Sequence, residues 1–211
     1  TKLDDNINSE IRAIAFNCLE NFGNYPIEKF KYTLKTISQE SKNQLSKLGI
    51  RIGAKFFFTP NLLKKKPMEL CAVLWKTFYQ NKIDDFLPLP LNGRVSFTSE
   101  TKMPNDYWQS IGYINIKNFV FRIDVFEKIF YLSRQKLRKG PFLESSDLMN
   151  PLGCNSNQLK DIMTLCGYEH LTLSDEKKLY FHSKIKKETK KTMKNKTIRK
   201  INKTDNKNKI K

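Results

Sequence analysis

Beyond Ser183 the apolar periodicity stops, so any folded core must be drawn from residues 1–182. The last 29 residues hold thirteen Lys or Arg against Glu188 and Asp205, and their few Ile and Met side chains stand isolated. Such a stretch cannot bury enough apolar surface to offset the entropy of ordering it, so 183–211 reads as a disordered Lys-rich tail. The chain carries 39 Lys and Arg and 21 Asp and Glu, a formal charge of +18. The tail supplies +11 of this and the body +7. Codon bias can exchange Arg for Lys, but it does not create an excess of either over acids. The charge points to an anionic partner, RNA or DNA ahead of a membrane surface.

No apolar run approaches the roughly 18 residues that a membrane span requires, and no basic-then-apolar leader opens the chain. Cys18, Cys71, Cys154 and Cys166 form no CxxC pair, and His170 and His182 complete no metal-ligand spacing. The cysteines read as buried, reduced thiols. They imply a cytosolic or similarly reducing compartment. A GxxxxGK[ST] phosphate loop, a GxSxG elbow, an HExxH pair and kinase signatures are all absent, and glycine is scarce at eight residues. Asp84-Asp85 reads as a solvated helix end. No catalytic motif, cofactor site or metal site is expected in this chain.

Within the body, Ile7, Ile11, Ile14, Cys18 and Phe22 share one helical face, and Gly23 stops that helix. Pro26 stands where a second helix is expected to begin. Ile27, Phe30, Leu34, Ile37, Leu45 and Leu48 would form its buried stripe up to Gly49, completing an αα-hairpin. Residues 50–58 predict a short strand ended by Pro60. The helix after Pro67 has Leu70, Val73, Leu74, Trp75 and Phe78 on a wide apolar face, so it is expected to be largely buried. Pro88, Pro90 and Gly93 mark a boundary between subdomains 1–86 and 94–182.

The second subdomain predicts a brief strand at 95–97 and a short helix at 104–111. A hairpin of 113–116 and 119–123 follows, then a helix capped by Asp124 that runs to about Leu137. After it come a short helix at 145–149, a turn at 151–154 and a capping-box helix bearing Leu159, Ile162, Met163 and Cys166. A hairpin of 168–173 and 178–182 closes the body. Helix, turn, helix, hairpin is the order of a winged helix-turn-helix. The expected class is α+β, predominantly α-helical: a helical subdomain, a winged-helix-like subdomain and the basic tail.

The candidate phosphate contacts are cations. Lys64, Lys65 and Lys66 can engage backbone phosphates and release counterions without reading sequence, although a solvated cluster is an equal alternative. Arg51, between Ile50 and Ile52, points away from both on a strand, and either pairs with an acid or binds phosphate. Lys160, Lys177 and Lys178 come from the winged-helix-like part, and Lys186, Lys187, Lys190 and Lys191 from the tail. Trp75, Trp108 and Phe56-Phe57-Phe58 offer stacking faces where exposed, but a triple Phe beside a strand break is more often core. Asn157, Lys160 and Asp161 make a poor major-groove reader, with one cation and no Arg for guanine. The winged-helix-like part is therefore expected to serve packing or strand separation rather than sequence recognition.

One resemblance runs through the body. Gly49-Ile50-Arg51-Ile52-Gly53, then Phe57-Phe58-Thr59-Pro60-Asn61-Leu62-Leu63-Lys64, then Leu70 through Trp75, resembles a stretch of the Suv-three-like helicases. These are superfamily-two RNA helicases of mitochondria and alphaproteobacteria, and the stretch lies in their C-terminal region. Pro88-Leu89-Pro90 to Arg94-Val95 and Tyr107-Trp108 to Gly112-Tyr113 are similar in the same order. So are Arg138-Lys139-Gly140-Pro141 and Leu152-Gly153-Cys154 to Leu165-Cys166-Gly167-Tyr168. Lys66-Pro67 departs by one extra Lys. The resemblance covers roughly 7–170 and implies a C-terminal accessory, nucleic-acid-binding region of an ATP-dependent helicase, one that holds single strands without reading sequence, in the bacterial cytosol first and the mitochondrial matrix as the alternative. Its two RecA-like motor domains would lie in cis, upstream of Thr1. The family's ATP-binding residues fall on no position here, so ATP and Mg are expected only for that motor. Two other readings compete: a free-standing winged-helix nucleic-acid-binding regulator, and an RNA-associated structural protein.

Overall fold

Ile11, Ile14 and Cys18, three and four residues apart, form the buried face of α1 (Ser9–Glu20), whose start Asn8 caps by accepting the Glu10 N–H. The computed structural model describes residues 8–79, 87–91, 93–174 and 177–182, an α+β chain in which helix outweighs strand. Asp84-Asp85 and the whole tail, with Lys186, Lys187, Lys190 and Lys191, lie outside the described residues.

After Gly23 (φ 79°) the expected αα-hairpin does not form. Asn24–Pro26 make strand β1 instead of a helix start, because Tyr25 pairs in register with Phe57. The long second helix is cut into a 3-10 turn at Ile27–Phe30, α2 (Thr33–Thr36) and α3 (Gln39–Lys47). Ser38 makes the last break: its Oγ accepts the Ser41 N–H and restarts the helix, with Ile37 extended before it. The apolar stripe survives. Ile27, Ile37 and Leu45 are buried with Ile11, Ile14 and Cys18, and Phe30, Leu34 and Leu48 pack on the same cluster. Residues 50–58 fold as two strands, β2 (Arg51–Ile52) and β3 (Phe56–Phe58), in an antiparallel sheet ordered β1-β3-β2.

A 3-10 turn opened by Pro60 leads into α4 (Lys65–Phe78). Here the expected burial is corrected. Met68, Cys71, Ala72 and Trp75 face inward, while Leu70, Val73, Leu74 and Phe78 are exposed, Phe78 at 79%. An all-apolar run offers two faces, and packing selects the one with small residues. Cys71 and Ala72 allow close approach, and Trp75 meets Tyr107 edge-on with ring centroids 5.1 Å apart.

β4 (Ser96–Thr98), α5 (Asn105–Ser110), β5 (Tyr113–Ile116) and β6 (Phe119–Arg122) follow, with a second antiparallel sheet ordered β4-β6-β5. Lys117 (φ 48°) and Asn118 (φ 71°) make the two-residue hairpin turn, whose paired positive φ values match strand twist. α6 (Ile123–Arg138) begins one residue before Asp124. Asp124 is therefore not its N-cap; it sits in the first turn and holds Arg122 at 2.7 and 3.0 Å. β7 (Phe142–Leu143), α7 (Ser146–Met149), α8 (Ser156–Leu165), β8 (Tyr168–Thr172) and β9 (Lys178–His182) complete the body, with sheet order β7-β9-β8. The expected capping box of Asn155 and Gln158 opens α8.

Two further buried clusters build on these elements. One joins Met68, Cys71 and Trp75 to Trp108, Tyr113 and Val120. The other packs Phe121, Phe126 and Ile129 against Leu148, Leu159, Ile162 and Tyr180. Packing thus continues across the Pro-rich segment 88–93, where the Tyr107 hydroxyl donates to the Pro88 carbonyl at 2.9 Å. All four cysteines are buried and unpaired, and burial pushes the Cys18 thiol up to about 12 and the Cys154 thiol to about 11. Among the described residues no helix is long and apolar enough to cross a membrane, and no group of three or more His, Cys, Asp or Glu could hold a metal ion.

Candidate nucleic-acid interface

α6 divides its residues sharply. Phe126, Ile129, Phe130 and Ser133 are buried, while Lys128, Tyr131, Arg134, Gln135 and Arg138 are exposed. The spacing 128, 131, 135 and 138 keeps the exposed set on one side of the helix. Near its start, Glu127 reaches across to the turn between β2 and β3. Its buried carboxylate accepts the backbone N–H groups of Ala54 (2.5 Å), Lys55 (2.9 Å) and Phe56 (2.8 Å). Gly53 permits this approach, since a Cβ there would stand 2.4 Å from Glu127 Cδ.

Burial raises the Glu127 carboxyl above its ordinary value, and the three N–H bonds and the charge of Lys55 pull it only part of the way back. A raised carboxyl value means that the folded chain holds this proton more tightly than the unfolded chain does. Glu127 therefore contributes most favourably below about pH 4.5, and less as pH climbs through the raised value. Denaturant titrations from about pH 4 to about pH 7 should show this decline in the wild type and its flattening in Glu127→Gln.

Beside this latch lies a groove of about 520 Å³, lined in part by Arg51, Phe58, Pro60, Lys128, Tyr131 and Arg134. Its two acids are already engaged, Glu127 by the three amides and Asp124 by Arg122. Arg51 donates to Ser46 Oγ at 3.4 Å. Among the described residues, Arg51, Lys128 and Arg134 make no ion pair. Three cations thus face a hollow whose two carboxylates already have partners, three amides at Glu127 and one guanidinium at Asp124. Further along α6 a second hollow, of about 400 Å³, is lined by Gln135, Lys136, Arg138, Lys139 and Asp147, with Lys136 and Asp147 paired at 2.9 Å. From Lys128 to Lys139 the cationic track runs about 16 Å at helical rise.

The remaining cations expected at a site are scattered. Lys64, Lys65 and Lys66 are all exposed where α4 begins, at the positive end of its dipole, and none lines the groove. Lys178 is buried and its ammonium bonds Ser156 Oγ, which donates in turn to Glu144 at 2.6 Å. That chain of contacts makes Lys178 structural and withdraws it from phosphate binding. Lys160 is half-buried near His170, whose imidazole is held below its ordinary value first by burial and then by the charges of Lys160 and Lys178. Lys177 is exposed just before β9, and Asp161 is held by Lys117 at 2.9 Å. Of the aromatic candidates, Trp75, Trp108 and Phe57 are buried and cannot stack on a base.

Arg51 stands out in the sequence, whereas Lys128, Tyr131 and Arg134 do not. The signal was available, as the polar side of the helix whose apolar side is Phe126, Ile129 and Phe130. What it lacked was the partner element, since only the hairpin of β2 and β3 turns that side into a groove. Set against family models, curated proteins and solved structures, the chain matches none.

Proposed function

We propose that this chain binds single-stranded RNA or DNA along α6 without reading sequence, as the C-terminal accessory region of an ATP-dependent helicase whose motor domains act in cis. The observation that carries the binding reading is the groove of Arg51, Lys128 and Arg134, unpaired beside acids that are already occupied. Cations placed this way contact phosphates, which are the same in every sequence, and a translocating protein needs that indifference. The helicase part rests on the sequence resemblance, and ATP and Mg enter only with the motor. Buried thiols suit a reducing compartment such as the bacterial cytosol.

The order α6, β7, α7, α8, β8, β9 supports a winged-helix reading of residues 123–182. In that reading the unit is a scaffold. The polar side of α8 offers Lys160 but no Arg, and its Asp161 is tied to Lys117, which disfavours a sequence-reading regulator.

The test is a triple substitution of exposed residues, Arg51→Ala, Lys128→Ala and Arg134→Ala, in the full chain. Fluorescence anisotropy with a labelled single strand should show affinity falling about 10- to 100-fold at low salt. The slope of log affinity against log salt should fall by about 2, the share of three phosphate contacts on a single strand. An unchanged slope would sink the groove as the binding site.

A further inference from the structure

Tyr131 occupies an unusual place in the α6 track. It is 59% exposed, it lines the groove with Arg51, Lys128 and Arg134, and among the described residues no ring or cation packs on it. A lone exposed tyrosine is ordinary. One standing between unpaired cations, on a rigid helix anchored by Phe126, Ile129 and Phe130, has the makings of a stacking platform. Single strands are held by this combination: cations follow the backbone, and an aromatic face takes an unpaired base.

We infer that Tyr131 is the base-stacking residue of this groove, so that the site accepts an unpaired strand and discriminates against duplex. The inference rests on the proposed nucleic-acid binding and deepens it. A duplex keeps its bases stacked on one another and presents only phosphates, so it can use Arg51, Lys128 and Arg134 but not the ring. An unpaired strand uses both. The track length sets the footprint: about 16 Å of helix against about 3.4 Å per stacked nucleotide accommodates about five nucleotides. One base lies on Tyr131. The phosphates to one side meet Arg51 and Lys128, and those to the other meet Arg134 and then Arg138 and Lys139 in the second hollow.

The ring, and not the hydroxyl, does the work in this account, which separates stacking from simple hydrogen bonding. The experiment uses the full chain at low salt with two probes. One is a fifteen-nucleotide mixed-sequence strand carrying a single 2-aminopurine, and the other is the same strand annealed to its complement. Wild type should bind the free strand more tightly than the duplex and quench its 2-aminopurine. Tyr131→Leu should weaken single-strand binding about ten-fold, leave duplex binding within about two-fold and abolish the extra quenching. Tyr131→Phe should behave as wild type. Equal single-strand affinity in wild type and Tyr131→Leu, or equal weakening toward both probes, overturns the stacking role while leaving the groove intact. If wild type binds neither probe, the binding reading and this inference fall together.

Discussion

Replacing Glu127 with Ala will lower the unfolding free energy by about 3–5 kcal/mol, read as a drop in denaturant midpoint with little change in slope. Three backbone N–H groups lose their acceptor at once, those of Ala54, Lys55 and Phe56, which lie 71 to 73 residues away in sequence. Hydrogen bonds to a charged group contribute about 1.5–3 kcal/mol each. The sum is not realised in full, because burying the carboxylate is itself unfavourable, as its raised pKa records. Glu127→Gln should fall between the two. Its carbonyl can still serve Lys55 and Phe56, but its amide sets a donor against the Ala54 N–H. Binding should weaken with stability, since Arg51 sits on the strand that this latch orients. An Ala variant within about 0.5 kcal/mol of wild type would mean that water replaces the carboxylate without penalty.

Deleting 183–211 will flatten the salt dependence of single-strand binding more than any change in the body. The segment holds thirteen cations, and if each met a phosphate they would contribute about 9 to the slope, against about 2 for the groove. Partial engagement lowers the figure without changing the order. Affinity at low salt should fall at least 100-fold, and the remainder should still respond to Lys128 and Arg134. A truncated chain with no residual affinity would place all binding in the tail, and an unmoved slope would reduce the tail to a spacer.

Short-range chemistry was legible in the residues themselves. Lys117-Asn118 between two β-rich runs announced its hairpin, Asn155 and Gln158 their capping box, and Ile11, Ile14 and Cys18 the inner face of α1. The misreadings share a cause, which is that distant residues decide them. Pro26 looks like a helix start until Tyr25 meets Phe57. The apolar run of α4 has two eligible faces, and only Tyr107 and its neighbours choose between them. Lys178 resembles any hairpin lysine, yet Ser156 and Glu144 draw it inside. The groove was half legible for the same reason: Arg51 stood out between its glycines, whereas Lys128 and Tyr131 gained meaning only once Glu127 had fastened the two parts together.

The placement of sulfur has a practical corollary. Cys18 sits in the core around α1, Cys71 in the core of Trp75 and Trp108, and Cys154 and Cys166 in the core of Phe126. Burial suppresses the thiolate at each position, so alkylation must wait for local opening. Each nucleus of the body thus carries its own native reporter, and the order in which the sulfhydryls become reactive under rising denaturant ranks the three by cohesion.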